Sequence, residues 1–458
     1  MNVLFVHNNF PGQFRHLAQT LARDPKNTVV GLGAMQSTPL PGARVIKYRL
    51  DAFDVRTTHP FARRFDVECH RAEQVLYALT TLRSSGFVPD VIVAHPGWGE
   101  TMPLRTIFPK ARIVLYCEFF YGTEGRDVGF DPEFPPIGAD GDVALHLKNA
   151  ATLLALAECN VGLTPTLWQR STFPEIYQPL IKVIHEGVDT ETVKPAPEAS
   201  FRLGSGRSLR RDDEVVTFVA RNLEPLRGYH IFMRSLPRIL KERPRAQIVI
   251  IGADQTYYGA SAPPGTTWKS IFFDEVAQRI DRRRVHFTGR LPYRDYLKAL
   301  HVSSAHVYLT YPFVLSWSLI EALSCGCLVV GSDTAPVREV INGENGVLVP
   351  FFDYEKLADR VIEALAHPRR FQSMRVEARR TAVEQFDLKR VSLPPMIALL
   401  GDEKALESSK PRSNQKRVLR RTRTALPVDL KGEPRTAEVS EETGTGNRAK
   451  TGESPRKA

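Results

Sequence analysis

Two arginines, Arg221 and Arg227, lie six residues apart in the segment ARNLEPLRG, directly after the apolar run at residues 215–219. That run predicts a buried strand, and the residues from Gly228 onward predict a helix. At the carboxyl end of a parallel strand, two guanidinium groups and the free N–H groups of a helix N-terminus can converge on one anion. Arginine binds phosphate oxygens through paired hydrogen bonds, so this pair suits a diphosphate. The alternative is two solvated surface charges.

Glu321 stands in the otherwise apolar segment LIEAL, which predicts a helix that starts near Ser316 and Trp317. A carboxylate on an apolar helix is unfavourable unless a partner satisfies it. The helix follows the predicted strand at residues 307–310, so Glu321 faces the edge of the sheet where open α/β folds bind ligands. A salt bridge with a nearby arginine is the alternative.

The loop HNNFPGQ, residues 7–13, follows the first predicted strand and opens the first predicted helix. Gly12 would let the backbone come close to a diphosphate or a sugar, and Pro11 suits the first turn of a helix. The alternative is a plain turn without a ligand.

Two further strand ends carry polar residues: His95 follows the run at residues 91–94, and Glu118 follows the run at residues 113–117. Parallel strands present their carboxyl ends at one edge of the sheet, so both side chains are placed for contact with a ligand. A satisfied histidine and an ordinary ion pair are the alternatives. Four aromatic residues nearby predict either an apolar acceptor platform or core: Trp98, Phe119, Phe120 and Tyr121.

Other catalytic patterns find little support in the sequence. No G-x-G-x-x-G follows the first predicted strand, and neither a Walker loop nor a G-x-S-x-G elbow is present. Residues 140–142 spell Asp-Gly-Asp, a pattern that holds a metal-bound nucleotide in other transferases. Asp142 at the start of a predicted helix is also a natural N-cap. We therefore assign no metal site and no cofactor.

Short apolar runs alternate with helical patterns almost throughout the chain, which predicts βαβ units and buried parallel strands. Residues 191–213 interrupt the alternation with Pro, Gly and charged residues and predict a linker. The predicted fold class is therefore α/β, with two Rossmann-like doubly wound domains facing across a cleft, at residues 1–190 and 214–386. Residues 401–458 are rich in Ser, Thr, Pro, Gly and charge, which predicts a disordered basic tail.

The 458 residues carry a net charge of +11, and the predicted tail holds 14 basic and 9 acidic residues. A modest basic excess suits anionic ligands such as nucleotide diphosphates, and we do not expect nucleic acid as a partner. The basic segment 410–423 is compatible with contact with anionic lipid or with a solvated tail. No run approaches about 18 apolar residues, and the first residues lack the pattern of a signal peptide. The five scattered cysteines indicate reduced thiols in a cytoplasm.

The blocks YPFVLSWSLIEAL and GENGVLV resemble the donor-binding segment of the GT-B fold glycosyltransferases of family 4. Four further blocks extend the resemblance to about residue 400: MNVLFVHNNFPGQFRHLA, DVIVAHPGWGE, LYCEFFY and FVARNLEPLRGYHIFMRSLP. Glu321 matches the second of two family glutamates, whereas Phe313 stands at the position of the first. The resemblance also implies that residues 387–400 form a crossover helix that returns to the first domain.

This resemblance implies a retaining, metal-independent glycosyltransferase that uses a nucleotide-diphosphate sugar as donor. The acceptor would be a hydroxyl of a glycan or of a lipid-linked molecule, in cell-envelope or exopolysaccharide synthesis. The implied catalytic residues are Arg221, Arg227, Glu118 (where many members carry a histidine) and His95. The implied donor-binding residues are Gly12, Arg290 beside the base, Ser316, Trp317, and Glu321 on the ribose.

The implied location is the cytoplasm, with peripheral contact at the inner face of the plasma membrane. Two other functions fit a chain of this kind. A nucleotide-sugar epimerase of similar fold would form product without an acceptor. A nucleotide-binding protein that has lost catalysis is suggested by Phe313 and Glu118, which depart from the family pattern.

Overall fold

The computed structural model describes residues 1–401, which form two lobes, each built on one parallel sheet. The predicted tail beyond Gly401, with its basic segment 410–423, lies outside the described residues. Among residues 1–401, no helix combines the length and the apolar character needed to cross a membrane.

The N-terminal lobe alternates strands and helices from its first residues. Its strands are β1 (Asn2–Val6), β2 (Thr28–Ala34), β3 (Ala43–Tyr48), β4 (Val91–Ala94), β5 (Arg112–Tyr116), β6 (Val161–Thr164) and β7 (Ile181–Val183). Its helices are α1 (Arg15–Ala22), α2 (Arg63–Ser84), α3 (Leu104–Ile107), α4 (Gly138–Leu147), α5 (Ala150–Glu158) and α6 (Leu167–Ser171). The strands form a seven-stranded sheet in the order β3-β2-β1-β4-β5-β6-β7.

The C-terminal lobe repeats this plan. Its strands are β8 (Phe201–Arg202), β9 (Ser208–Leu209), β10 (Val215–Asn222), β11 (Gln247–Ala253), β12 (Val285–Gly289), β13 (Ala305–Tyr308), β14 (Val329–Ser332) and β15 (Val347–Val349). Its helices are α7 (Tyr229–Glu242), α8 (Trp268–Val276), α9 (Tyr293–His301), α10 (Trp317–Ser324), α11 (Ala335–Arg338), α12 (Tyr354–Ala366) and α13 (Gln372–Gln385). The six-stranded sheet has the order β12-β11-β10-β13-β14-β15.

Every strand pairing in these two sheets is parallel. The strand order reverses between β1 and β4 in the first sheet and between β10 and β13 in the second. Such a switch point opens a ligand crevice at the carboxyl ends of the strands. The prediction of two Rossmann-like doubly wound domains is confirmed.

Part of the stretch predicted as a linker, residues 191–213, is packed. Strands β8 and β9 form a small antiparallel hairpin, and Phe201, Leu203 and Leu209 are buried in a core that also holds Leu300 of α9. Apolar residues spaced among the Pro and Gly residues allow this hairpin to bury a face against the C-terminal lobe. This stretch therefore does more than connect the two lobes.

The last helix, α14 (Leu393–Leu400), leaves the C-terminal lobe. Its residues Met396 and Leu399 are buried in the core that holds Phe5 of β1 and Leu17 of α1. The final turns of the described chain thus complete the hydrophobic core of the N-terminal lobe.

A segment of the N-terminal lobe, residues 117–137, reaches onto the C-terminal lobe. Asp131 Oδ2 accepts a hydrogen bond from the Tyr311 hydroxyl at 2.6 Å and another from His230 Nε2 at 2.9 Å. Burial opposes the charge of Asp131, but these bonds hold its pKa below the ordinary value. Both carboxylate oxygens of Glu133 accept hydrogen bonds from Arg234, at 2.7 and 2.6 Å.

Asp131, Glu133 and His230 lie close enough together to hold a metal ion. Tyr311 and Arg234 already bind the carboxylates of this cluster, so we interpret it as a contact that joins the lobes.

A second contact between the lobes involves backbone groups. Both oxygens of Glu339, at the end of α11, accept backbone N–H groups of α6, from Leu167 at 2.7 Å and from Trp168 at 2.8 Å. The first N–H groups of a helix have no partner within the helix, so a carboxylate is a natural acceptor for them.

Candidate functional site

Loops at the carboxyl ends of β1, β4 and β5 bring four polar side chains into contact. Gln13 Nε2 donates to Glu118 Oε1 at 2.9 Å, and His95 Nε2 lies 3.2 Å from Glu118 Oε2. His7 Nε2 lies 2.7 Å from Gln13 Oε1. The structure therefore brings the predicted residues His95 and Glu118 together, and it adds His7 and Gln13 from the first loop.

Glu118 keeps its charge in this environment. Burial opposes ionisation, but the hydrogen bonds from His95 and Gln13 prevail and hold the pKa of the carboxyl below its usual value. Burial, reinforced by the neighbouring His95, lowers the pKa of His7 to about 3. At neutral pH an ionised carboxylate therefore faces a neutral His7. The side chain of Glu118 is 30% exposed, so it is also open to a ligand.

Gly12 lies beside this cluster. Its φ is +46°, and a Cβ at this position would lie 2.6 Å from the ring of His7. A side chain here would push the imidazole away from Gln13, so the packing requires glycine whether or not the backbone also touches a ligand.

On the other lobe, Arg227 is a buried residue at the end of a short 3-10 turn after β10. Its Nη1 donates to Thr310 Oγ1 at 3.0 Å and to the carbonyl of Val314 at 2.9 Å. Within the described chain, the hydrogen bonds of this guanidinium use Nη1, which leaves the donors on Nη2 and Nε for a ligand.

Arg221 is exposed, unlike Arg227, and its guanidinium lies 4.1 Å from the ring centroid of Tyr257. The loop that carries Tyr257 is held by Glu224, a fully buried residue. Glu224 Oε2 accepts the backbone N–H groups of three consecutive residues at 3.2 to 3.3 Å: Tyr257, Tyr258 and Gly259. Three donors converging on one oxygen fix this loop beside the two arginines.

Tyr258 lies near the contact between the lobes, with its ring centroid 5.7 Å from the Arg227 guanidinium and 5.2 Å from the ring of Phe313. Burial and the charge of Glu118 raise the pKa of its hydroxyl, and the charges of Arg227 and Arg221 oppose that rise.

Glu321 lies on α10, and its partners are tyrosine hydroxyls rather than the arginine of the alternative interpretation. Tyr293 donates to Oε1 at 2.8 Å, and Tyr296 donates to Oε2 at 2.7 Å. Burial raises the pKa of Glu321, although the two hydrogen bonds act in the opposite direction. The carboxylate is thus held in a fixed orientation at a cost in desolvation.

The remaining predicted donor residues lie around α10 and β12. Ser316 is the N-cap of α10, and its backbone N–H donates to the Tyr308 hydroxyl at 2.8 Å. Trp317, the first residue of that helix, is 49% exposed. Arg290 is exposed after β12, with its Nη2 3.4 Å from Gln255 Oε1.

Phe313, which stands where the family pattern has a glutamate, is buried. Its ring packs on Phe119 of the N-terminal lobe and on Tyr258, with centroids 5.0 and 5.2 Å apart. Of the aromatic residues predicted as platform or core, Phe119 is therefore core, and Trp98 stacks on His95 at 4.4 Å.

Several residues of the site were not singled out from the sequence. Gln13 acts through Glu118, which lies 105 residues away, and only the fold brings Tyr258 beside Arg227 and Phe313, so spacing gives no signal for either residue. Tyr293 and Tyr296 carry a weak signal, because tyrosines three residues apart share one face of a helix.

Comparisons with known proteins find relatives of both lobes. A family model described as "Glycosyl transferase family 4 group" matches residues 25–193, and one described as "Glycosyl transferases group 1" matches residues 213–367. A "GDP-mannose-dependent alpha-(1-6)-phosphatidylinositol monomannoside mannosyltransferase" of Mycolicibacterium smegmatis is 24% identical over 303 residues, which is 63% of this chain and 72% of the relative.

Two solved structures share the fold. Sucrose-phosphate synthase from Thermosynechococcus elongatus has a TM-score of 0.66 at 17% identity and covers 90% of this chain and 100% of its own. Anabaena HepE in complex with UDP-glucose has a TM-score of 0.58 at 16% identity, with coverage of 87% and 99%. With both halves matched by glycosyltransferase models and both lobes shared with solved structures, the chain belongs to the GT-B fold glycosyltransferases of family 4.

Proposed function

We propose that this protein transfers a sugar from a nucleotide-diphosphate sugar to a hydroxyl of a glycan or lipid-linked acceptor, with retention of configuration and without a metal ion. The observation that carries the proposal is the contact of Phe313 with both sides of the cleft. Its ring packs on Phe119, the residue that follows Glu118, and lies 5.6 Å from the Arg227 guanidinium. A donor with its diphosphate on the arginines would place its sugar toward the carboxylate.

The arginines would supply the main chemical assistance. Breaking the bond between the sugar and the diphosphate develops negative charge on the leaving oxygen, and preorganised cations stabilise that charge. Arg227 is fixed by Thr310 and Val314, so its free N–H groups are oriented before the donor arrives. Arg221 would reach the diphosphate from its stack on Tyr257. Cationic side chains in this role make a divalent ion unnecessary.

Glu321 would hold the nucleotide. A carboxylate oriented by Tyr293 and Tyr296 can accept hydrogen bonds from the two hydroxyls of a ribose. Arg290 would border the base, and Gly12, Ser316 and Trp317 would line the donor's path. In a retaining transfer on one face of the sugar, the departing phosphate would take the proton of the acceptor hydroxyl.

The relatives suggest donors for the first assays. The mycobacterial relative is named for GDP-mannose and a phosphatidylinositol monomannoside, and the HepE structure holds UDP-glucose. We propose a hexosyl donor of this kind and a role in glycolipid or cell-envelope synthesis. We further propose a cytoplasmic location with peripheral membrane contact, in which residues 410–423 would touch anionic lipid.

The test is nucleotide release from GDP-mannose and UDP-glucose, with and without glycan and lipid acceptors and with a chelator present. Arg221→Ala and Arg227→Ala should each lower turnover by about a hundredfold or more. Arg283→Ala, which removes an 89% exposed arginine of the same lobe, is the matched control. The anomeric configuration of the product, determined by NMR, tests retention.

Analysis of the sugar nucleotide recovered from the same incubations, together with nucleotide binding, separates the other functions. Isomerisation of the donor without an acceptor would indicate an epimerase, and nucleotide binding without turnover on any acceptor would indicate a non-catalytic protein. Activity that needs an added divalent ion would refute the metal-independent mechanism.

A further inference from the structure

The hydrogen bonds around Glu118 fix where each proton lies. The backbone N–H of Asn9 donates to His7 Nδ1 at 2.9 Å, so the proton of that neutral ring is on Nε2. His7 therefore donates to Gln13 Oε1, and the amide nitrogen of Gln13 must point toward Glu118. The backbone N–H of Asn9, two residues after His7, thus determines the orientation of the Gln13 amide.

A second chain of contacts reaches the other oxygen of Glu118. The backbone N–H of Gly97 donates to His95 Nδ1 at 3.0 Å, so a proton on Nε2 of His95 faces the carboxylate. Each oxygen of Glu118 therefore receives one N–H group from the protein. An ionised carboxylate has no proton to give, and each of its oxygens has a further lone pair. What Glu118 presents to the cleft is an anionic group that can only accept hydrogen bonds.

The position of this group determines what it can recognise. The sugar of a nucleotide donor is bonded directly to the phosphate that the arginines would bind, so its ring must lie within a few bonds of them. Glu118 approaches that space from the opposite lobe, because the ring of the next residue, Phe119, packs on Phe313, which lies 5.6 Å from the Arg227 guanidinium. A hydroxyl or amino group on the sugar can donate to it, whereas a sugar carboxylate would meet a like charge in a partly buried site.

We propose that Glu118, held as an acceptor-only anion by the His7–Gln13 pair and by His95, selects neutral or amino hexosyl donors and rejects hexuronic acid donors. This inference rests on the proposed function. Glu118 touches the sugar, whereas His7 and Gln13 are positioning residues that act through it.

The test compares donors that differ only in the oxidation state of one carbon: UDP-glucose with UDP-glucuronic acid, and GDP-mannose with GDP-mannuronic acid. For the base that the enzyme uses, the wild type should favour the neutral sugar in kcat/KM by more than about a hundredfold. Glu118→Gln should narrow that ratio by at least about tenfold, because the repulsion disappears while the size of the side chain is kept.

Gln13→Leu should lower the kcat/KM ratio of neutral to acidic donor by a smaller factor than Glu118→Gln does, since it removes one of the two N–H donors that hold the charge of Glu118. Gln278→Leu, at an exposed position of α8's C-terminal flank, is the matched control and should leave the ratio unchanged. Thermal unfolding and the Kd for UDP or GDP establish that each variant is folded and binds nucleotide. A structural role for Glu118 would lower activity with both donors equally, which would overturn the proposal.

Equal use of both donors by the wild type would also overturn it. Absence of transfer from every donor would instead refute the proposed function. The selection by Glu118 would then be judged from the Kd values of the same sugar nucleotides, where the neutral sugar must bind more tightly in the wild type and lose that advantage in Glu118→Gln.

Discussion

The ring of Phe119 in the N-terminal lobe packs against the ring of Phe313 in the C-terminal lobe, with centroids 5.0 Å apart and planes at 67°. Phe119 follows Glu118 directly, and Arg227 lies 5.6 Å from the Phe313 ring. An aromatic contact thus separates the anionic and cationic sides of the cleft at the point where other family members carry a carboxylate.

Removing this aromatic contact should destabilise the protein. Phe313→Ala creates a cavity in the largest core and should lower the free energy of unfolding by about 3 kcal/mol. Phe313→Leu keeps most of the volume and should lower it by less than about 1.5 kcal/mol. Urea unfolding monitored by fluorescence measures both. An equal loss for the two variants would argue against close packing between the lobes.

Glu224 should matter for catalysis although it is fully buried. Glu224→Ala leaves the N–H groups of residues 257–259 without their acceptor, so the loop beside the arginines should lose its position and kcat/KM should fall by about tenfold or more. Glu224→Gln retains one acceptor oxygen and should recover much of the activity. If the two variants had the same kcat/KM, the loop would not depend on this oxygen.

Glu321→Gln should separate stability from nucleotide binding. Burial raises the pKa of the carboxyl, so a neutral amide removes an unfavourable charge, and the melting temperature should stay the same or rise. The Kd for the nucleotide should rise by about tenfold to a hundredfold, because hydrogen bonds to a charged acceptor are lost.

Calorimetric titration of Glu321→Gln gives the Kd for the nucleotide, and thermal unfolding gives the melting temperature. Tyr293→Phe, which removes one hydrogen bond to Glu321, is the milder change for comparison. A nucleotide Kd equal to that of the wild type would remove Glu321 from the binding site.

His306 should make the C-terminal lobe sensitive to acid. Burial lowers its pKa from 6.5 to about 4, and its Nδ1 lies 2.9 Å from Thr217 Oγ1. Between these pH values the unfolded chain binds a proton that the folded chain does not, so stability falls as the pH falls, by up to about 1.4 kcal/mol per pH unit.

A His306→Gln variant lacks this titration. The free energy of unfolding of both proteins is measured in urea at pH 7, 5.5 and 4.5. At each step to lower pH it should fall more for the wild type than for the variant. Parallel pH dependence of the two proteins would contradict a neutral, buried His306.

The sequence allowed the fold and the edge of the site to be predicted, because both depend on local patterns. Apolar runs mark buried strands, and polar residues directly after them, such as His95, Glu118 and Arg221, must lie at one edge of each sheet. Glu224 was overlooked because its partners are backbone N–H groups, which have no signature in side-chain types. Gln13 was overlooked because its hydrogen-bond partner, Glu118, lies 105 positions away in the sequence.

The two hydrogen bonds between Glu339 and the start of α6 can report on the contact between the lobes without any substitution. The amide protons of Leu167 and Trp168 have their acceptor on the opposite lobe, whereas that of Gln169 donates to Thr166 Oγ1 within its own helix at 3.0 Å. Deuterium uptake at positions 167 and 168 would therefore report how often the lobes separate. Uptake at position 169 is an internal reference for fraying of the helix. Slower deuterium uptake at the first two amides in the presence of a sugar nucleotide would indicate that the lobes close around the donor.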